Sequence, residues 1–299
     1  MVFGSRRFSV VVGSLFFSLL NAPAGWADPI GAEGVQRLHE KVAPIVDDPS
    51  PEQPFYVKAE VKKHIESSEA VLYFPQTIDE IADALTKTRF WCEILPLHIN
   101  IKACTYSPGG GQITVYMGRK FYQEPDEAHQ LTYEFETTRD GDYFSAVALA
   151  DKGPLGTSDY HIDFEVVAAG DRSFGRIHVS DHQSWTSSNA MRLYLSTKGK
   201  KKEGISIVDH DDSGSPIYSK GVPAVAERNL LRYYFAFAAF FGSADTTDDA
   251  ARHNAQLEYW FENTEEFPQL HELEKDEYLD EKKRERENQI LLQMELQQP

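Results

Sequence analysis

Val35, Leu38, Val42 and Val46 recur at the spacing of one helical face, which predicts a short amphipathic helix over 28–46. A turn-rich stretch, 47–54, leads into two extended runs at 55–65 and 69–74, and Pro75 breaks the second. Thr77 then opens a helix. The spacing Thr77-x-x-Glu80 lets each side chain satisfy a backbone donor of the first turn, and Ile78, Ile81, Ala82 and Leu85 form the apolar face. A second short helix is expected at 87–95. From Leu97 the period changes to that of strands, expected at 98–106, 112–120, 128–138, 143–151, 159–169 and 172–185. Six consecutive strands with short links predict an antiparallel meander. A helix at 188–196 and a hairpin over 205–220 follow, and Pro223 sits in the first turn of a helix running to about 241. Past Leu230 that helix is apolar nearly all round: Tyr233, Tyr234, Phe235, Phe237, Phe240 and Phe241. Such a helix must be buried, and the concave face of the meander is its natural partner. The expected class is α+β.

The two ends differ from this middle. Arg6 and Arg7, an apolar run over 8–20 and small residues up to Ala27 form the three-part pattern of a secretory leader, so 1–27 is expected to be a cleaved signal peptide. The apolar run is too short for a spanning helix, which needs about 20 residues, and the mature chain contains no other candidate. A periplasmic location is the expected outcome. At the other end, 243–299 carries 16 acids and 6 bases. This stretch is expected to be a charged helical or disordered tail outside the core, with a basic protein partner as one conceivable role, so its removal should change stability little. The formal charge of −17 becomes −19 once Arg6 and Arg7 leave with the leader. So acidic a surface argues against nucleic acid and anionic membrane as partners.

The mature chain has two cysteines. In an oxidising compartment an even pair reads as a disulfide, Cys92–Cys104, against the alternative of two buried thiols. A loop of this size would contribute about 3 kcal/mol.

The segment EAVLYFPQTIDEIADALTKTRFWCEILPLHINIKAC resembles the START-like, or helix-grip, superfamily with its polyketide cyclase and lipid-transfer branches. Pro75, Ile78, Ile81, Leu85 and Trp91 fit that family's proline turn, helix face and tryptophan, and the resemblance covers about 69–241. Trp91-Cys92 and Leu97-His98-Ile99-Asn100 are also similar to a group of exported proteobacterial proteins. The resemblance implies an antiparallel sheet curved around the long helix, two short helices after the first strand, and a deep cavity between sheet and helix. The elements at 188–220 stand where compact members have a short loop, and the tail lies outside the fold. The implied domains are 28–54 as helix and linker, and 55–242 as the START-like domain.

Candidate chemistry is sparse. Over 97–104, His98, Asn100, Lys102 and Cys104 point one way and Leu97, Ile99, Ile101 and Ala103 the other. The polar set either enters the cavity or forms a solvated outer face, and the solvated face is the default for a half-buried strand. Tyr116, Arg119, Lys120 and Tyr122 add basic residues nearby. Arg228 and Arg232, four apart on the long helix, share a face and are the first choice to hold an anionic head group, unless they pair with acids of the sheet. Tyr234 is a further candidate ligand contact. No metal-ligand spacing, nucleophile elbow or cofactor motif is present. The leading expectation is a binding or carrier protein for a hydrophobic or amphipathic small molecule. Its rivals are a cyclase or dehydratase using His98, Lys102 or Tyr116, and an interaction protein using the acidic tail.

Overall fold

The computed structural model describes residues 29–46, 56–197 and 199–298. The expected signal peptide and the 47–54 linker lie outside them. Helix α1 spans Gly31–Val46. Strands β1 (Val57–Lys62) and β2 (Ile65–Phe74) form a hairpin whose turn places Lys63 and His64 in the left-handed region, with φ of 52° and 69°. Lys-His is not a usual sequence for such a turn, so the expected single run over 55–65 in fact crosses it. Helix α2 (Ile78–Leu85) begins with both bonds of the Thr77–Glu80 capping box, and α3 (Thr88–Ile94) follows.

The meander comes next: β3 (Ile101–Tyr106), β4 (Gln112–Met117), β5 (His129–Asp140), β6 (Tyr143–Lys152), β7 (Ser158–Ala169) and β8 (Arg172–His182). Helix α4 (Trp185–Ser196) and the hairpin β9 (Ile207–His210) and β10 (Pro216–Tyr218) precede the long helix α5 (Gly221–Gly242). The large sheet has eight antiparallel strands in the order β1-β2-β8-β7-β6-β5-β4-β3. Its inner face packs on α5. Leu72, Phe74, Phe135, Phe144 and Phe164 of the sheet share one core with Leu230, Phe235, Phe237 and Phe240 of the helix. Helix α1 covers part of the other face through Val35 and Val42 against Val71, Val167 and Phe174. The α+β helix-grip arrangement expected from the sequence is what the chain forms.

Cys92 and Cys104 are disulfide-bonded and tie α3 to β3. Among the described residues no helix is long and apolar enough to cross a membrane.

The tail is helical, one of its two expected states, but it does not lie outside the core. It forms α6 (Asp249–Glu265) and α7 (Lys275–Leu296), and Leu257, Trp260, Leu270 and Tyr278 belong to the main core. Trp260 donates its indole N–H to the carbonyl of Arg232 at 2.9 Å. Helix α7 docks by hydrogen bonding more than by hydrophobicity. Strand β3 is a sheet edge, and Gln289 and Gln293, four apart on α7, accept from the backbone N–H groups of Cys104 and Tyr106 at 2.7 and 2.9 Å. An unpaired sheet edge is thereby covered without any added strand. Beside them Lys102 and Lys282 both pair with Glu285, at 2.8 and 2.7 Å, and all three are almost fully buried. The lysines also donate to the carbonyls of His98, Ile99 and Ile101. Lys102 is therefore not on a solvated face: α7 covers it.

Candidate functional site

Between the sheet and the first half of α5 lies a cavity of about 430 Å³. Its deep wall is aromatic and aliphatic. Trp91 of α3 stands edge-on to Phe135 and Phe237, and Ile113, Val115, Ile162, Ile177 and Val179 line the strands. Each of these strand residues lies on the inward parity of its strand. The indole N–H of Trp91 donates to the carbonyl of Leu85 at 2.8 Å, so the ring presents only its apolar surface. Met191 and Tyr194 of α4 close one side, the inserted element expected to reshape the mouth. Glu227 anchors the neighbouring hairpin to α5: its carboxylate accepts from Ile205 N, Ser206 N and the Ser219 hydroxyl.

One side of the cavity is cationic. Arg228, Arg232 and Lys120 reach it, together with His98 and Asn100. Arg228 donates to the carbonyl of Glu203 at 2.7 Å, and Arg232 to Leu270 O at 2.9 Å and Glu272 Oε1 at 3.1 Å. Lys120 and Lys202 also donate to Glu272. Burial would raise the Glu272 carboxyl, yet the bonds from the two lysines and the Arg232 charge hold it down to about 2. Burial, and then Arg232, lowers Lys120 to about 8. Burial brings Arg232 to about 10. One carboxylate thus faces three cations, and the Nε–H groups of Arg228 and Arg232 are without partners among the described residues.

His98 is 2 % exposed and stacks on Tyr233 at 4.4 Å. Its Nδ1 accepts from the backbone N–H of Asn100 at 3.1 Å, which leaves the proton on Nε2. Burial, and then the charges of Arg232 and Lys282, hold its pKa far below the ordinary histidine value, so the ring is neutral. The Nε2–H is buried and unpaired. Asn100 donates to Gly118 O at 2.9 Å and so positions the segment leading to Lys120.

A second polar group faces the cavity from β2, β8 and the residue just after β8: Glu66, Ser68, Asp181 and Gln183, beside Tyr133 and Tyr160. Burial, and then the charge of Asp181, raises Glu66 to about 8, and burial raises Asp181 to about 6.

Of the candidate ligand contacts, the structure brings together Arg228, Arg232, His98 and Asn100. Lys102 is held beneath α7 by Glu285 and does not reach the cavity. Tyr116 lies on the opposite face of β4 from Val115 and Met117, and Tyr234 turns to Phe235 outside the lining. Of His98, Lys102 and Tyr116, offered as alternatives for an acid–base group, His98 is the one that lines the cavity. Arg232 does pair with an acid, but one supplied by the tail and not by the sheet. Sequence reasoning passed over Glu66, Asp181, Tyr194 and Glu272.

In sequence, no family model and no curated protein matches the chain. Among solved structures, similar ones include a START superfamily protein from Mycobacterium smegmatis, at 11% identity, TM-score 0.31, covering 44% of this chain and 87% of that one. Truncated norcoclaurine synthase from Thalictrum flavum gives 14% identity, TM-score 0.32, and coverages of 45% and 84%. A protein from Arthrobacter aurescens gives 12% identity, TM-score 0.33, and coverages of 60% and 90%. The strand order and the seating of α5 across the sheet give this chain the helix-grip fold.

Proposed function

We propose that the protein is an exported carrier that holds an amphipathic small molecule, with its apolar body against Trp91, Phe135 and Phe237 and an anionic group at Arg228, Arg232, Lys120 and His98. The observation that carries this reading is the cavity itself. Its volume lies in the range of small-molecule sites, about 300–1,000 Å³, and its lining is mostly apolar with a few convergent polar groups. The cation excess around Glu272 and the unpaired Nε2–H of His98 supply charge and a donor that an anionic oxygen would satisfy. Export rests on the N-terminal leader pattern, and the disulfide suits an oxidising compartment.

The test is displacement of an environment-sensitive apolar probe from the folded protein. Dodecanoic acid is expected to displace it, and Arg228→Gln to weaken dodecanoic acid about tenfold or more while leaving dodecanol nearly as before. Should Arg228→Gln disturb folding, His98→Phe, which keeps the ring stack, is expected to weaken the acid selectively. Failure of the folded protein to bind any apolar probe rules the carrier reading out.

A further inference from the structure

The cationic side accounts for only one of the cavity's two polar regions. Register places Glu66 directly opposite Asp181 on the neighbouring strands β2 and β8. Both share the inward parity of residues that pack on α5, Glu66 with Ala70 and Leu72, Asp181 with Ile177. Side chains directly opposite in an antiparallel pair are close neighbours, and like charges there are destabilising. The other groups facing the pair are Ser68 and Gln183, which donates to Asp181 Oδ2 at 2.5 Å, and the phenols of Tyr133 and Tyr160 on β5 and β7. From α5 the nearby lining residues Val225, Ala226 and Asn229 bring no charge. None of these is a base. Among the described residues no ion pair reaches either carboxylate, and no cation contributes to either pKa.

Two acids without a cation on one side thus share a cavity with three cations and a single acid on the other. Burying charge without a counter-charge is costly, and neither side is balanced by the protein. The buried, unpaired Nε2–H of His98 points independently to an occupant of the same cavity. We infer that the occupant is dipolar: a molecule with an amino or other cationic group for Glu66 and Asp181, an anionic group for Arg228, Arg232, Lys120 and His98, and an apolar body between them. This rests on the carrier reading above and narrows its ligand class. It also gives the carboxyl pair a role at neutral pH, since Asp181 supplies the negative charge while Glu66, still largely protonated, offers a donor.

Four probe types decide the matter when titrated into the full mature chain at neutral pH: dodecanoic acid, dodecylamine, dodecanol, and ω-amino acids from octanoic to hexadecanoic chain length. At least one ω-amino acid is expected to bind about tenfold or more tighter than the fatty acid of the same length, the scale of one charge-assisted hydrogen bond. Glu66→Gln combined with Asp181→Asn keeps side-chain shape and removes a like-charge pair between half-buried neighbours, so the variant should fold. In it the ratio between ω-amino acid and fatty acid is expected to fall close to one. Should fatty acids bind while no ω-amino acid gains over them, or should the ratio survive the double substitution, the dipolar ligand is wrong and the anionic carrier stands. Should no probe of any type bind, both readings fall together.

Discussion

Two clusters of cations, one fully buried and one partly exposed, lie near each other around the 97–104 segment, and they are built to different ends. In the first, Lys102 and Lys282 share Glu285, and each lysine also donates to backbone carbonyls. In the second, Lys120, Lys202 and Arg232 share Glu272, with Arg228 alongside and two guanidinium Nε–H groups unpaired. The first is closed by α7 and touches no cavity. The second opens onto one. Charge count alone does not separate a structural cluster from a binding one. What separates them is whether every donor has found an acceptor within the protein.

The largest effect is expected from the closed cluster. Glu285→Ala leaves two lysines buried without a counter-charge, and should lower unfolding free energy by about 3–5 kcal/mol in urea titration. A loss within 1 kcal/mol, on the order of an exposed pair, would show that water reaches the lysines after all.

Glu66 offers the next effect, with the opposite sign. Its folded pKa of about 8 lies above the ordinary carboxyl value of 4.5, so the folded state holds its proton longer than the unfolded chain does. Stability therefore falls as pH rises from about 4.5 to about 8, and the loss persists above that. Glu66→Gln should match the wild type near pH 4 and exceed it above pH 8 by about 2 kcal/mol, less than the roughly 5 kcal/mol of the unscreened effect because the side chain is only half-buried, read from thermal or urea unfolding across that range. Equal pH profiles for the two proteins would mean that Glu66 is solvated.

The smallest effect belongs to the open cluster. Glu272 has a depressed pKa, so its contribution is present above about 4.5 and is lost as pH falls toward about 2. Its lysine partners are partly exposed, which screens the interaction. Glu272→Gln should cost about 1–2 kcal/mol at pH 7 while tightening dodecanoic acid, because the same cations then have no internal carboxylate. Weakened binding of the acid would instead make Glu272 the group that positions Lys120 and Arg232.

Most of the fold was legible because it follows apolar periodicity. The capping box at Thr77, the six strands of the meander and the apolar α5 each announce themselves by spacing. Helix α7 does not. Its buried residues include Lys282, Glu285 and Gln289, which in a sequence look like any solvated charged face, and only the position of the β3 edge gives them partners. The site was half legible for the same reason. Arg228 and Arg232 stood out against an apolar helix. Glu66 did not, because the turn at Lys63-His64 hid the start of β2; once that strand begins at Ile65, Glu66 falls in phase with Ala70, Leu72 and Phe74. Lys102 parts from His98 and Asn100 because the register shifts between Ile101 and Ala103, and it faces a helix whose docking no local pattern reveals.

The glutamine seal on β3 has a consequence for how the chain reaches its final state. Gln289 accepts from Cys104 N and donates to Cys92 O, so one side chain grips both halves of the disulfide. The two bonded partners at Cys104 are separated by 185 positions in sequence. Until the polypeptide through Gln289 is present, the outer strand of the meander has no cover, and a bare strand of that kind invites pairing with a neighbouring molecule. Covering that edge is thus a non-local step, of the sort that slows folding.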